Sequence, residues 1–205
     1  MGTRPRDKEA TKAILVEAVG KVLARDGFLR VGVNSVAREA GVDKVLIYRY
    51  FGGLTGLVRE FSDSRKFWPG MEDIVGPDPQ AFLAQPIHEM LSTGLINYAR
   101  FIRNKPLSLA IIAWMLMESN ELTRAFQDTR SGMFSGLMDK ARSSQGPSEI
   151  DVGSLGNLLG AAVAFLALSM RFPENYHNEL VDPKAWTDVE NMIRVICSKV
   201  LCDGS

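Results

Sequence analysis

Apolar residues recur along this chain at intervals of three and four positions, and no stretch alternates with a two-residue period. A repeat of three to four is typical of helices that bury one face, whereas strands alternate between two faces. Glycines, prolines and capping residues divide the pattern into separate helical segments. The sequence therefore predicts an all-α fold.

The first predicted helix spans about residues 8–25. Its apolar face carries Leu15, Val19, Val22 and Leu23. Gly27 is suited to follow this helix, because glycine readily adopts the left-handed conformation found after helix ends. A fourth helix is predicted at about residues 55–67, before the break at Pro69-Gly70.

Beyond residue 70, proline and capping residues mark the predicted starts of further helices. We expect a short helix at Asp78-Pro79, and longer ones from Pro86 to Asn104, from Pro106 to Glu118, from the cap Asn120 to Arg142, from Ser148 and Asp151 to Phe172, and from Asp182-Pro183 to Leu201.

Two short helices separated by Gly41-Val42 are predicted within residues 33–51, with Asp43 as N-cap of a second helix beginning at Lys44. Such a pair forms a helix-turn-helix, whose second helix enters the DNA major groove. Ile47 and Phe51 are four residues apart and are expected to face inward. The outward residues would then be Lys44, Val45, Tyr48 and Arg49.

In this region the chain resembles the tetracycline-repressor-like (TetR) family of bacterial transcriptional regulators. The resemblance rests on the segments AGVDK at 40–44 and IYRYF at 47–51, with ARDGF at 24–28 upstream. It implies a DNA-binding domain at residues 1–53 and a helical ligand-binding and dimerisation domain at residues 54–205. It also implies a homodimeric regulator, most often a repressor, released from a palindromic double-stranded DNA operator by a small-molecule effector.

The chain departs from the family pattern in three ways. Val45 and Leu46 replace a more usual Gly and Thr, Leu54 replaces a Lys, and Gly52-Gly53 replaces a more polar pair. The operator preference of the family therefore does not carry over, and one phosphate anchor is missing. Backbone N–H groups at the start of the fourth helix could still meet a phosphate.

Charge is distributed unevenly although the formal net charge is zero. Residues 1–66 hold thirteen Lys and Arg against eight Asp and Glu, a net of +5, while residues 67–205 hold eleven against sixteen, a net of −5. A basic head on an acidic body is expected when only the head meets phosphates. We expect phosphate contacts from Lys44, Tyr48 and Tyr50, and base contacts from Asn34, Ser35, Val45 and Arg49. Leu46 is also expected at the DNA-binding surface.

Methionine and aromatic residues are concentrated in the middle of the chain. Such side chains accommodate irregular cavities, so a pocket for a mostly apolar effector is predicted, although each residue alone could equally belong to the core. The predicted lining is Trp68, Met71, Tyr98, Phe101, Trp114, Met115, Met117, Phe126, Met133 and Phe134.

Residues 158–170 are apolar except for Ser169, a run too short to span a membrane, which needs about 20 apolar residues. A helix that is apolar all round is expected to be buried on more than one side. We therefore predict a homodimer seam. Its predicted residues are Leu155, Leu158, Leu159, Ala162, Phe165, Ile193, Ile196 and Val200.

Enzymatic and metal chemistry find no support in the sequence. Neither His88 nor His177 has a recognisable catalytic partner, and no phosphate loop, nucleophile elbow or metal-ligand spacing is present. We therefore expect no cofactor and no membrane partner. Two cysteines, Cys197 and Cys202, and no signal segment favour the cytoplasm, with a redox switch as a weaker hypothesis.

Two rival functions stay open. One is a helical small-molecule carrier or enzyme with a vestigial DNA-binding head. The other is a nonspecific architectural DNA-binding protein without an effector.

Overall fold

A computed structural model describes the backbone of residues 5–64, 67–144, 150–170 and 182–202. Side chains are described for these residues except 5–7, 132–138, 140–144 and 183. The described chain contains no strand, so the predicted all-α fold is confirmed. A 3₁₀ turn lies at Phe28–Arg30. The α-helices are α1 (Pro5–Asp26), α2 (Val33–Ala40), α3 (Val45–Phe51), α4 (Leu54–Asp63), α5 (Met71–Val75), α6 (Pro79–Leu83), α7 (Ile87–Arg103), α8 (Pro106–Met117), α9 (Glu121–Ser144), α10 (Val152–Ser169) and α11 (Pro183–Cys202).

The chain forms two compact units. Unit 1 contains Met1–Lys66 and Ala110–Arg130, and unit 2 contains Phe67–Leu109 and Ser131–Ser205. Helices α8 and α9 therefore each contribute residues to both units. The predicted boundary between residues 53 and 54 divides a DNA-binding domain from an effector-binding and dimerisation domain, and it does not coincide with the division into compact units. This functional boundary stays a prediction.

Unit 1 is built around α1. All four residues of the predicted apolar face, Leu15, Val19, Val22 and Leu23, are buried, which confirms that prediction. α1 packs against α2 and α4, and α4 also packs against α3. α1 and α4 approach closely at Gly20, where an added Cβ would lie 3.0 Å from Cε2 of Phe61.

Unit 2 is organised around α7, which packs against α5, α10 and α11. The Nδ2 atom of Asn97 on α7 donates a hydrogen bond to the Ile74 carbonyl oxygen at 2.8 Å. Arg100 on α7 makes a bidentate pair with Glu190 on α11, with distances of 2.9 and 2.5 Å. Buried apolar side chains on α7 complete this core, among them Met90, Ile96 and Ile102.

Local capping signals predicted several helix starts correctly. Asp78 accepts hydrogen bonds from the N–H groups of Gln80 and Ala81, and the Asn120 side chain caps α9 through Leu122 and Thr123. The Asp151 carboxylate likewise accepts a hydrogen bond from the Ser154 N–H at 2.7 Å. Ser148, the other predicted member of that cap, lies outside the described residues.

Three helix predictions were wrong. α4 ends at Asp63 instead of residue 67, and Phe67 and Trp68 are buried with ring centroids 5.3 Å apart. α10 ends at Ser169 instead of residue 172. Helix α5 was missed, because its five residues are too few for a helical period to be recognised.

The apolar run at residues 158–170 belongs to an 18-residue helix, Val152–Ser169. By length and composition alone, α10 is therefore apolar enough to cross a membrane, contrary to the length argument from the sequence. A core helix of a water-soluble protein meets the same criterion, so this observation is weak evidence for a membrane span.

Candidate nucleic-acid interface

The turn between α2 and α3 follows from local backbone chemistry. Gly41 ends α2 in the left-handed conformation with φ 66°, and the Val42 N–H donates back to the Ala37 carbonyl oxygen at 3.1 Å. Asp43 then accepts a hydrogen bond from the Val45 N–H at 2.8 Å. The helix begins at Val45, one residue later than predicted, but Asp43 satisfies a free N–H at its start.

Helix α3 presents one face to the core and another to solvent. Ile47 is completely buried and Phe51 is half-buried, so the predicted inward face is confirmed. The predicted outward residues Lys44, Val45, Tyr48 and Arg49 are all exposed. Leu46 and Tyr50 are half-buried between the two faces.

Asn34 and Ser35, the two residues of α2 that are predicted to contact DNA, differ in the exposure and hydrogen bonding of their side chains. Asn34 is exposed. The Ser35 hydroxyl accepts a hydrogen bond from the Gly32 N–H at 3.0 Å and donates to the Arg30 carbonyl oxygen at 2.5 Å. Ser35 thus fixes the start of α2, a role that the sequence analysis missed. The residue pattern Gly32-x-x-Ser35 resembles a capping box and could have indicated it.

The turn between α3 and α4 requires glycine at three positions. Gly52 and Gly53 have φ values of 72° and 134°, which side chains rarely tolerate. At Gly56, an added Cβ would lie 1.9 Å from the carbonyl oxygen of Phe51. Gly52 and Gly53, the pair that departs from the family pattern, therefore allow the backbone to turn directly from the end of α3 into the start of α4.

Ion pairs remove some of the basic groups of residues 5–64 from possible DNA contact. Arg25 donates hydrogen bonds to the carboxylates of Asp26 and Glu39, which raise its pKa, and the Arg25 guanidinium in turn lowers the pKa of Asp26. Lys12 and Lys21 face Glu60 and Glu17 at 3.8 and 3.0 Å. Among the described side chains of this segment, the cations without an ion pair are Lys8, Arg30, Arg38, Lys44, Arg49 and Arg59. Both cations at the exposed surface of α3 are therefore available for phosphates or bases.

The predicted effector-binding residues are divided between the two units. Trp68, Met71, Tyr98 and Phe101 belong to unit 2, where Trp68 and Tyr98 are buried, Phe101 is half-buried and Met71 is exposed. Trp114, Met115, Met117 and Phe126 belong to unit 1. Of these, Met115 is half-buried and Met117 is 83% exposed. The side chains of Met133 and Phe134 lie outside the described residues. The lining of a pocket stays a prediction.

Trp114 and Phe126 are part of the aromatic core of unit 1. Trp114 stacks on Phe28 with ring centroids 4.0 Å apart and meets the Phe126 ring edge-on at 6.0 Å. Phe126 also contacts Phe61 of α4 at 6.1 Å. Residues 110–130 are thereby packed against the 3₁₀ turn and α4, on either side of the helix-turn-helix in the sequence, which the sequence alone did not indicate.

The predicted seam residues on α10 and α11 differ in exposure. Leu158, Ala162 and Phe165 are exposed along one face of α10, and Leu155 and Leu159 are half-buried beside them. On α11, Ile193 is buried within its own unit, and Ile196 and Val200 are half-buried. The large apolar residues exposed on the described part of α11 are Met192 and Val195.

The cysteines do not pair with each other, and both are free. Burial raises the pKa of the Cys197 thiol to about 11, so that this thiol stays protonated at neutral pH. The Cys202 sulfur lies 3.1 Å from Nδ1 of the half-buried His88. His177 lies outside the described residues, within which no group of three His, Cys, Asp or Glu could hold a metal ion.

Residues 14–61 match the family model for bacterial regulatory proteins, tetR family. This segment covers most of α1, the helix-turn-helix and most of α4. No curated protein matches the chain significantly.

Several solved structures share the fold over nearly the whole chain. The fatty acid degradation regulator FadR from Bacillus halodurans is 14% identical, with a TM-score of 0.63 and 96% of each chain covered. A TetR-family transcriptional regulator from Haemophilus influenzae is 19% identical, with a TM-score of 0.62 and coverage of 92% of this chain and 97% of that chain. FadR from Bacillus subtilis in complex with stearoyl-CoA is 14% identical, with a TM-score of 0.61 and coverage of 90% and 96%.

Residues 14–61 therefore form a DNA-binding segment of the tetR type, and the chain shares its overall fold with TetR-family transcriptional regulators of known structure.

Proposed function

We propose that this protein is a cytoplasmic repressor that binds a near-palindromic operator and leaves it when a small, mostly apolar molecule binds. The observation that carries the proposal is the solvent-facing surface of α3, where Lys44, Val45, Tyr48 and Arg49 are all exposed. Cations and hydroxyls suit phosphates, and an arginine can bond a guanine edge with two hydrogen bonds. Val45 could contact a thymine methyl group.

A palindromic operator requires two copies of α3, and α10 supports a homodimer. Leu158, Ala162 and Phe165 form an exposed apolar stripe at helical spacing on this helix. Met192 and Val195 add exposed apolar area on α11. We propose that these faces meet their counterparts in a second copy, because a contiguous apolar surface is stabilised when water is excluded from it.

We propose that the effector signal reaches DNA through unit 1. In this unit, hydrogen bonds connect α4 to α9. The Ser62 hydroxyl lies 2.7 Å from that of Thr129, and Thr55 donates to Glu121 at 3.0 Å. Phe28 also stacks on Trp114. Residues 110–130 and the helix-turn-helix thus belong to the same compact unit. A solved structure of similar fold contains stearoyl-CoA, which supports an effector with an apolar chain.

The DNA-binding roles are tested by two substitutions on α3. We expect Lys44→Ala to weaken binding to all duplexes and to flatten the salt dependence, as loss of a phosphate contact does. Arg49→Ala should instead relax the preference at one base pair, which a bidentate contact determines by about 1–3 kcal/mol.

Operator fragments would be selected from genomic DNA, and their affinities measured by gel shift at several salt concentrations. Lys21→Ala is the matched control, because Lys21 is paired with Glu17 on α1 and should not contact DNA. Equal losses from Lys44→Ala and Arg49→Ala on specific and nonspecific duplexes would contradict the assigned roles. The absence of any palindrome preference would favour the nonspecific DNA-binding protein.

The effector role is tested by thermodynamic linkage. If an effector weakens operator binding by a given factor, operator must weaken effector binding by the same factor, typically 5- to 150-fold. Apolar candidates would be titrated by isothermal calorimetry with and without operator. Tight effector binding that does not respond to operator would exclude the sensor function and favour the carrier or enzyme.

A further inference from the structure

The side chain of Arg103, the last residue of α7, lies against an aromatic ring, and one of its N–H donors has no hydrogen-bond partner among the described residues. Its guanidinium lies 4.2 Å from the ring centroid of the buried Trp186 on α11, in a cation–π arrangement. The Trp186 indole N–H in turn points to the sulfur of Met170 at 2.9 Å. The ring that supports Arg103 is therefore itself held in place.

The Arg103 Nε atom is buried and, among the described residues, has no hydrogen-bond partner. Buried donors in folded proteins are nearly always bonded, so an unbonded one calls for an explanation. Desolvation lowers the pKa of Arg103, because burial without a direct counter-ion disfavours the charged form.

The neighbouring carboxylate does not supply the missing partner. Both oxygens of Glu190 are bonded to the guanidinium of Arg100, one turn before Arg103 on α7. Counted over the described side chains, two guanidinium groups and one carboxylate leave one positive charge in excess at this place. The carbonyl end of α7 compensates part of that charge through the helix dipole, but none of its carbonyl groups bonds the Nε atom.

We propose that Arg103 and Trp186 form a binding site for a single oxoanion, a carboxylate or a phosphate monoester, carried by the effector. The anion would accept hydrogen bonds from the guanidinium fork, for which carboxylate and phosphate geometries are suited. Apolar atoms of the effector next to the anion would contact the half-buried Met170, while the buried Trp186 holds the guanidinium in place. The proposal rests on the proposed effector function and changes it, since the effector would carry one anionic group on an otherwise apolar body.

The test measures binding of three probes with the same chain length to the full-length protein without DNA. Decanoate carries a carboxylate, decyl phosphate a phosphate monoester, and decan-1-ol no charge. We expect at least one anionic probe to bind at least tenfold more tightly than the alcohol in calorimetric titrations. Which probe gains shows which oxoanion the site accepts, and inorganic phosphate shows whether the apolar chain is needed.

Arg103→Gln should remove the advantage of the anionic probe and leave the affinity for decan-1-ol within twofold. Lys105→Gln is the matched control, because it removes the same charge from an exposed residue two positions away. It should leave all affinities within twofold. Arg103→Lys keeps the charge but lacks the Nε donor and the planar fork, so it should recover only part of the affinity, and it replaces Arg103→Gln should that variant fail to fold.

Three results would overturn the site: no binding of any probe, equal binding of anion and alcohol, or equal losses from Arg103→Gln and Lys105→Gln. Operator binding by Arg103→Gln without effector should equal that of the unaltered protein. Failure of operator binding by the unaltered protein would refute the proposed regulator while leaving the measured anion site intact, so the two failures are distinguishable.

Discussion

Gly56→Ala is expected to disrupt the packing of α4 against α3 and to abolish operator binding. The new Cβ would lie 1.9 Å from the carbonyl oxygen and 3.0 Å from the carbonyl carbon of Phe51. Both are backbone atoms, which cannot move aside by a change of rotamer. Overpacking typically costs about 1–3 kcal/mol, and this overlap is with backbone, so we expect at least about 3 kcal/mol. Thermal unfolding followed by circular dichroism, together with gel shift, measures the effect.

Gly160→Ala provides the matched control. It also replaces a glycine within a helix, but its Cβ would lie 3.8 Å from the nearest atom, Cδ2 of Leu95, an ordinary contact. Since alanine favours helices over glycine by about 1 kcal/mol, this variant should be as stable as the original or more stable. Equal melting temperatures for Gly56→Ala and Gly160→Ala would show that the close approach in the α3–α4 turn is relieved by movement of the backbone.

Phe165→Glu is expected to convert the proposed dimer to a folded monomer. Phe165 is 53% exposed in the isolated chain, so a carboxylate there can stay hydrated while the subunit is alone. In the dimer the same carboxylate would be buried without a partner, at a cost of several kcal/mol, on the order of a thousandfold or more in the dimerisation constant. Sedimentation velocity gives the oligomeric state, and circular dichroism gives the fold. Operator affinity should fall as well, because a monomer holds only one α3.

Leu116→Glu is the control for this substitution. Leu116 is also a large exposed apolar residue, but it lies on α8 in unit 1 and is not part of the exposed apolar face of α10. It should leave the dimer intact. A stable dimer of Phe165→Glu, or a monomeric form of the unaltered protein at micromolar concentration, would rule out α10 as the seam.

The sequence by itself determined the features that arise from interactions within a few residues. The apolar face of α1 and the buried side of α3 at Ile47 depend on helical periodicity, and the caps Asp78 and Asn120 depend on a side chain that bonds nearby backbone. The break between α2 and α3 depends on Gly41, a residue type that ends helices. The TetR family pattern is likewise contained in one short segment, and the family model matches that segment. Such signals act locally, so one sequence is enough to read them.

Only the tertiary structure decided which residues from distant parts of the chain meet. It placed Trp114 and Phe126 in the core of unit 1 beside Phe28. The concentration of aromatic and methionine residues in the middle of the sequence had instead suggested that both line an effector pocket. It buried Ile193 and exposed Met192 on the same helix.

It also revealed the close approach at Gly56 and the unused donor of Arg103 above Trp186. These contacts depend on how the helices pack. An apolar side chain is stabilised by any apolar neighbour, so its residue type does not indicate which neighbour the packing will supply.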